Sequence, residues 1–537
     1  MRQVDSGVRE DFAQRAECGT SNDVAPDIDN LPADAEGLRA LLIAERAQHA
    51  AERDRLRSII VALQRHRFGR RSEQLDSDQL ALSLEDLEQS VAAAEAQEER
   101  VAAPGQSRPA RQRKINRGAL PEHLPRVDVV IDVEDRRCPC CAGALHPIGE
   151  DVAERLDVIP LQFRVLVVHR PKYACRTCPG TVVQAPAPPR LVEGGLPTEA
   201  LIAHVIVAKY ADHSPLYRQA QIYARQGIDL DRSTLADWSG RAAWWLRPLH
   251  TKLLNELRAS PKLFADETTA PVLDPGRGRT KTGQLWAYAR DDRPWGGPAP
   301  PAVAYVYAPD RKAERPIAHL EGFRGILQVD GYAGYRALAE TGHVYLAFCW
   351  AHLRRRFYEI AAGGDAPIAT EALARIAELY ALEAEMRGRP ADERHTVRSQ
   401  RAKPIVDDLK IWFETKLALV SQKSTIAEAI RYALSRWDGL CRFIEDGRVE
   451  IDSNIVERAI RPLALNRKNA LFAGSDGGGE HWAIHASLIE TCKLNGVDPQ
   501  AYLADIFVRL VDGHPINRLD ELLPWNWAAA HQAQRAA

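Results

Sequence analysis

The chain reads ILQVD from Ile326 to Asp330, an apolar, strand-like run that ends on an aspartate, and LFAD from Leu263 to Asp266 repeats the pattern. Carboxylates at the ends of neighbouring strands repel each other unless a cation neutralises them. Magnesium takes oxygen ligands and keeps water and phosphate oxygens in the rest of its shell. If the two strands are neighbours, the pattern predicts a magnesium site. The alternative is that each aspartate merely begins a turn or caps a helix.

Two glutamates farther along the chain are candidates for a third carboxylate. Glu457 comes three residues after Asn454, at the start of a predicted helix, and Glu480 follows glycines 477–479 before a helix predicted at 483–494. The structural alternative is that Asn454 and Glu457 form a capping box, in which the acid also favours the helix dipole. Either glutamate could complete a site for phosphodiester chemistry, since the nearby arginines and glycines suit phosphate contacts.

The segments around these acids follow an α/β pattern. Strand-like runs come first and then alternate with helices, and a helical block from about residue 370 to about 445 interrupts them. We interpret this block as an insertion. The predicted strands are 263–266, 284–289, 303–307, 326–329 and 344–348, with a helix-like stretch at 313–320.

Nine cysteines include two Cys-x-x-Cys pairs, Cys138 with Cys141 and Cys175 with Cys178. Four thiolates at this spacing predict a closed, tetrahedral structural zinc site within a β-rich module. Cys140 is a competing thiol, and unpaired buried thiols are the alternative. Cys349 and His352 form a lone pair of the kind that more often packs and hydrogen-bonds, so we assign no metal to them.

Composition is ordinary for a globular protein of several domains. The 537 residues are 45% hydrophobic and 27% charged, with a net charge of −2. No apolar run approaches the roughly 20 residues of a membrane helix, and the N-terminus lacks the pattern of a secretory signal. We therefore expect a soluble, cytoplasmic protein in which any nucleic-acid contacts come from local basic patches.

Helical patterns flank the β-rich module. The region 36–63 has a partly interrupted heptad pattern, which predicts a short coiled coil or, alternatively, a solvated amphipathic helix. Basic clusters follow at 65–71 and 108–117. From 198 to 257 two helices and a glycine-bearing turn, with Ser233 as a predicted N-cap, permit a helix-turn-helix, although simple helical packing is favoured.

Several motifs together resemble the transposases of the insertion-sequence-66 (IS66) family over nearly the whole chain. Besides the paired cysteines, they are RFGRRSE (67–73), ADETT (265–269), QVDGYAGY (328–335), CWAHLRRRF (349–357), IDSNIVERAIRPLALNRKN (451–469), SLIETCKLN (487–495) and LLPWNW (522–527).

The resemblance implies a multidomain α/β protein whose catalytic domain is ribonuclease-H-like with a helical insertion. Its DDE triad maps to Asp266, Asp330 and Glu457, with Glu480 as the rival third acid, and would hold Mg²⁺ or Mn²⁺. The implied domains are a disordered N-terminus (1–35), a coiled-coil-like helical region (36–100), a basic linker (101–126), a zinc module (127–190), a helical region (191–260), the catalytic domain (261–485, insertion about 370–445) and a C-terminal element (486–537).

The implied activity is cleavage and strand transfer of DNA at the element's terminal repeats and target. DNA contacts are expected from Arg354, Arg355, Arg461, Arg467 and Lys468. A homo-oligomer, accessory proteins of the same element and a place at the bacterial nucleoid are also implied. The alternatives are a non-catalytic DNA-binding regulator and a structure-selective nuclease on the same fold.

Overall fold

The computed structural model describes residues 120–536, apart from 121, 123, 160–161, 178–179, 275–278, 341 and 365. The predicted disordered N-terminus (1–35), the predicted coiled coil (36–100) and nearly all of the basic linker (101–126) lie outside the described residues.

The first sheet contains β1 (Arg126–Val130), β2 (His146–Ile159), β3 (Gln162–Ala174) and β4 (Val182–Gln184). The order is β1-β3-β2, with β4 paired to β3, and only β1 is parallel to β3. Leu156 and Val165 face each other in β2 and β3 and are fully buried. A buried face of this kind fixes the strand register.

Three helices follow: α1 (Glu199–Tyr210), α2 (Leu216–Ala224) and α3 (Arg232–Arg258). The prediction of Ser233 as the N-cap of α3 is wrong, because the carbonyl of Asp231 already accepts the N–H groups of the first turn. Every residue from Trp238 to Ala243 is buried, which is typical of a helix inside a core. This burial favours helical packing over insertion of α3 into a DNA groove.

The central sheet has the order β7-β6-β5-β8-β9. β5, β6 and β7 are antiparallel neighbours, and β8 and β9 run parallel to β5. The predicted sequence of strands, followed by strands alternating with helices, is confirmed. The bounds are β5 (Lys262–Asp274), β6 (Arg279–Arg290), β7 (Ala302–Ala308), α4 (Glu314–His319), β8 (Gly325–Val329), α5 (Arg336–Glu340) and β9 (Val344–Phe348).

The two aspartates occupy different places in their strands. Asp330 directly follows β8, as predicted. Asp266 does not end its strand, so that prediction is wrong. The parallel pairing of β5 with β8 stops at Phe264, but β5 continues to Asp274 because it stays paired with the antiparallel strand β6.

The predicted helical block is present, and its helices share a second hydrophobic core with β8, β9 and the helix that follows β9. In this core Phe357, from the helix that follows β9, stacks on Phe413 with ring centroids 5.4 Å apart. On its sheet side, Gly439 lies so close to β9 that an added Cβ would stand 2.3 Å from the ring of Phe348. The helices from β9 onward are α6 (Trp350–Ala362), α7 (Pro367–Glu385), α8 (Ala391–Val397), a π-helical turn (Arg398–Ala402), α9 (Lys403–Leu419), α10 (Thr425–Leu434) and α11 (Trp437–Glu445).

The C-terminal part contains α12 (Asn454–Ala470), α13 (Asp476–Leu494), α14 (Pro499–Val511) and α15 (Pro524–Ala536). The helix predicted from residue 483 begins at Asp476, because the Ser475 hydroxyl accepts the N–H of Gly478. Glycines 477–479 are therefore a helical turn and not an open phosphate-binding loop. A Cβ on Gly479 would lie 2.5 Å from the ring of Tyr307, so this turn packs tightly on β7.

Side chains satisfy the outer backbone groups of β7, which is an edge strand of the central sheet. Ser487 of α13 accepts the N–H of Tyr305 at 2.7 Å, and Thr491 bonds the N–H and carbonyl of Val303 at 3.2 and 2.9 Å. His250 Nε2 lies 2.9 Å from the carbonyl oxygen of Tyr305. The helices thus cover an edge that could otherwise pair with another chain.

Across the described part of the chain, no helix has both the length and the apolar character that a membrane crossing requires.

Candidate functional site

Asp266 lies on β5 close to Asp330 and has no ion-pair partner among the described residues. Its carboxylate accepts the N–H of Glu267 at 2.8 Å. Burial, together with the carboxylates of Glu267 and Asp330, raises the pKa of Asp266 to about 7, while His352 acts in the opposite direction. A buried carboxylate beside another acid and without a cation is the setting in which a bound metal ion relieves repulsion.

Glu267, the next residue, is committed to other partners. Its carboxylate pairs with Arg311 and accepts the Tyr335 hydroxyl at 3.0 Å. Burial raises its pKa, and the arginine opposes this effect. The different partners of Asp266 and Glu267 fit the opposite faces that strand alternation predicts.

The turn that carries Asp330 is held by the insertion. Asp330 Oδ1 accepts the N–H of Tyr332 at 2.8 Å, and its carbonyl accepts the hydroxyl of Tyr432 from α10, also at 2.8 Å. Gly331 has φ +102°, and an added Cβ would lie 2.9 Å from both Arg436 Nε and the Tyr432 hydroxyl. Only glycine fits this backbone and this close approach.

The segment that leads into α12 is fixed by one residue of β8 and by the residue that directly follows β9. The fully buried Gln328 of β8 donates to the carbonyls of Glu450 and Asp452 at 2.7 and 2.8 Å and accepts the N–H of Glu450 at 3.3 Å. Cys349 Sγ accepts the N–H of Ser453 at 3.2 Å. These contacts set where the first turn of α12 begins.

Glu457 lies in that first turn, but the predicted capping box is wrong. The N-cap is Ser453, while Asn454 is already helical and donates to Asp452 at 2.6 Å. Glu457 Oε1 lies 3.9 Å from Nδ1 of His352, a buried nitrogen without a hydrogen bond in the described structure. Since His352 also acts on Asp266, its ring connects the environments of the two acids.

Cys349 joins His352 and Glu457 in a cluster whose ligand atoms lie within 4.8 Å of one another. Burial raises the pKa of Cys349, so the thiol stays neutral and serves as an acceptor for the Ser453 N–H. A metal ligand needs the thiolate. Cys349 therefore acts here as a hydrogen-bond acceptor, and the interpretation that it binds no metal stays a prediction.

Glu480, the rival third acid, lies in α13 and forms an ion pair with Arg247 of α3 at 3.1 Å. The neighbouring acid Asp476 accepts from Lys281 and from the Tyr307 hydroxyl. Neither Glu480 nor Glu457 is among the main groups that shift the pKa of Asp266. The two glutamates therefore differ in their partners: an arginine for Glu480 and the histidine near Asp266 for Glu457.

The predicted DNA-contact residues fall into two groups. Arg354, Arg355, Arg461 and Lys468 are exposed. Arg467 instead bonds the hydroxyls of Thr268 and Thr269 at 3.1 and 2.9 Å, which fastens α12 to β5. Glu457, Arg461 and Lys468 follow one another at helical spacing and share one face of α12.

Three of the four predicted zinc ligands lie together, and Cys178 is outside the described residues. The ligand atoms of Cys138, Cys141 and Cys175 lie within 4.8 Å of one another. Cys141 Sγ and Cys175 Sγ are 3.8 Å apart, and a tetrahedral site with Zn–S bonds of about 2.3 Å requires the same separation of about 3.8 Å. The donor set fits zinc, while Cys140 points to Thr181 at 3.8 Å instead.

Gln328 and Tyr432 shape the site but were missed by sequence reasoning. A glutamine inside an otherwise apolar strand was a usable sign, because a buried amide must find hydrogen-bond partners. Tyr432 carried no such sign, since its contact with Asp330 spans 102 positions.

Most of the chain between residues 55 and 525 matches known families. Residues 194–481 match the family described as Transposase IS66 family, and 487–525 match its C-terminal element. Residues 135–179 match the zinc-finger binding domain of transposase IS66, and 55–129 match a family described as Transposase C of IS166 homeodomain.

Full-length relatives occur in Sinorhizobium fredii. The uncharacterized protein y4jD is 46% identical over 95% of this chain and 99% of its own length. The uncharacterized protein y4qI is 44% identical over 93% of this chain and 98% of its own length. From the family match and these relatives, the chain belongs to the IS66 family of transposases.

Proposed function

We propose that the protein is a DDE transposase that cleaves DNA at insertion-element ends and joins the freed strand to a target. Asp266, Asp330 and Glu457 hold Mg²⁺ or Mn²⁺ in this proposal. The observation that carries it is the half-buried carboxylate of Asp266, which has no ion-pair partner among the described residues and lies near Asp330. His352, which acts on Asp266, also lies 3.9 Å from Glu457.

The topology of the central sheet supports a ribonuclease-H-like catalytic domain at 261–485. Three antiparallel strands are followed by two strands parallel to the first, in the order β7-β6-β5-β8-β9. Asp266 is on the central strand and Asp330 directly follows its neighbour β8. Glu457 comes from the first helix after the insertion.

When bound, a pair of divalent ions supplies activation of water or a 3′-hydroxyl and stabilisation of the departing oxygen. The chain's own residues place the acids. Gln328 and Cys349 position the start of α12, and Tyr432 holds the turn of Asp330. The proposed cleavage and joining do not require a nucleophilic side chain of the protein.

Arginine and lysine side chains near the acids would hold the DNA backbone. The face of α12 that carries Glu457 continues with the exposed Arg461 and Lys468. Phosphate contacts of this kind position a duplex without reading its sequence. Arg467 has a different role in this proposal, because it keeps β5 and α12 together.

The cysteine cluster would bind zinc with Cys178 as the fourth ligand and fold the module at 127–190. A closed tetrathiolate site has no open coordination position, so it would not catalyse. We further propose that the protein acts as a homo-oligomer at the bacterial nucleoid, with accessory proteins of the same element.

The test is a magnesium-dependent cleavage and joining assay on DNA that carries the element ends. Asp266→Asn and Asp330→Asn should each lower cleavage by more than about 100-fold, because loss of a residue that merely orients a metal ligand already costs about 10–100-fold. Glu457→Gln should do the same, whereas the matched Glu480→Gln, which removes only an exposed ion pair, should cleave normally.

The outcomes separate the alternatives. Undiminished cutting by the aspartate variants would reject the catalytic assignment. Binding of the ends without any cutting by the wild type would indicate a regulator. Cutting of branched DNA without regard to the ends, and without joining, would indicate a structure-selective nuclease.

A further inference from the structure

A cavity opens beside Glu457, between the start of α6 and the start of α12. It has a volume of about 240 Å³, and its walls include His352, Arg354, Arg355, Tyr358, Asn454 and Glu457. Pockets for drug-sized ligands begin at about 300 Å³. This cavity is therefore suited to a small group and not to a long ligand.

Tyr358 presents an aromatic face at this cavity. Its side chain is 56% exposed and has no hydrogen bond to another described residue. It lies one helical turn after Arg354 and Arg355, so the three side chains meet on one surface of α6. An exposed aromatic ring next to guanidinium groups is the combination on which nucleic-acid bases stack.

The two arginines are available for a ligand. Neither guanidinium pairs with a carboxylate within the described residues, and both side chains are exposed. Their neighbour Arg356 differs, because its guanidinium stacks on Tyr432 of the insertion with a distance of 3.9 Å to the ring centroid. The cavity thus offers an aromatic surface and two phosphate-binding groups within reach of a proposed catalytic acid.

A single nucleotide has the matching chemistry: a planar base and an anionic phosphate. A base that is paired and stacked inside a duplex cannot place its face on Tyr358, so the nucleotide has to leave the helix. We propose that this cavity binds one unpaired nucleotide next to the scissile phosphate, with the base on Tyr358 and its phosphate on Arg354 and Arg355. The proposal rests on the DNA-cleaving function above.

The first measurement is binding without cleavage. Full-length protein is mixed, in Ca²⁺, with end DNA that carries 2-aminopurine at single positions around the cleaved bond. Unstacking at one position should change the fluorescence for wild type and Tyr358→Phe. The change should be at least about fivefold weaker for Tyr358→Ala, since aromatic stacking on a base is lost.

The second measurement is the cleavage rate in Mg²⁺. Tyr358→Ala should cleave paired ends at least about fivefold more slowly, and a mismatch at the flanking position should restore part of the rate because the base is already unpaired. Tyr345→Ala is the matched control, because Tyr345 is 52% exposed and does not line the cavity. It should behave as wild type.

Equal fluorescence changes and equal cleavage rates for wild type and Tyr358→Ala would overturn the proposal. It would also be overturned if Tyr358→Phe lost as much of the fluorescence change as Tyr358→Ala. Thermal unfolding should be unchanged in Tyr358→Ala. If wild type shows a Tyr358-dependent fluorescence change but no cleavage, the proposed function fails while the nucleotide site stands.

Discussion

The cysteine cluster and the carboxylate site are built in opposite ways. Cys138 and Cys175 are buried with Leu145 and Tyr173 in a separate, very small cluster. This is too little apolar surface to order the loops that carry the thiols, although other parts of β2 and β3 pack into the large core. Asp266 and Asp330 stand beside two large cores. In our proposal a metal ion is part of the fold at the first site, whereas the second site is shaped before any ion arrives.

Removal of one thiol should give the largest effect. Cys175→Ser should release zinc, because a serine hydroxyl is a poor substitute for a thiolate, and the module should lose the roughly 10 kcal/mol that structural zinc supplies. Zinc content and limited proteolysis of residues 127–190 measure this loss. Cys140→Ser is the control and should keep its zinc. Equal zinc content in both variants would contradict the assignment of Cys175, rather than Cys140, as a zinc ligand.

The core beside the carboxylate site should be sensitive to acid. His485 is fully buried, with Nε2 3.1 Å from the carbonyl oxygen of Ser239, and burial lowers its pKa to about 3. In the unfolded chain this histidine takes up a proton near pH 6.5, so the contribution of neutral His485 to the free energy of unfolding is complete above that pH. It should fall by roughly 3–5 kcal/mol as the pH drops to about 3.

Denaturant unfolding at several pH values, followed by tryptophan fluorescence, measures this dependence. In His485→Gln the free energy of unfolding should decline less steeply between pH 6.5 and 3, because unfolding of the variant takes up about one proton fewer. Parallel curves for the two proteins would show that His485 is not responsible.

Gln328→Leu should lower the free energy of unfolding by about 2–4 kcal/mol, because it leaves three backbone groups of the segment 450–452 without partners. Cleavage should fall with stability, since the start of α12 is no longer fixed. Denaturant unfolding and the cleavage rate give the two values. Gln226→Leu, at an exposed position in the turn before α3, should change neither.

The smallest effect is expected at the edge of the central sheet. Ser487→Ala removes the acceptor of the Tyr305 N–H, a buried group, and should lower the free energy of unfolding by about 1–2 kcal/mol. Ser421→Ala, in an exposed turn, should stay within about 0.5 kcal/mol of wild type. A Ser487 variant as stable as the Ser421 variant would mean that water replaces the lost contact.

Local patterns predicted the parts of this protein that depend on neighbours in sequence. β8 and β9 have nearly the predicted bounds, and the cysteine spacing brought three thiols together. The errors came from distant partners. β5 passes Asp266 because of its pairing with β6, and the glycines before Glu480 become helical against Tyr307 of β7.

The placement of the third acid shows the same limit. The contact from Gln328 to Glu450 spans 122 positions, and no periodicity in the sequence encodes it. Sequence reasoning could name Glu457 and Glu480 as candidates. Only their three-dimensional partners, His352 for one and Arg247 for the other, distinguish them.

The covered rims of the central sheet limit how copies of this protein can meet. On one rim, side chains of Ser487, Thr491 and His250 occupy the hydrogen-bonding groups of β7, and on the other, α11 lies against β9 at Gly439. These contacts hinder a second copy from extending the central sheet strand by strand. If subunits come together on DNA as we propose, they would meet at surfaces other than the edges of this sheet.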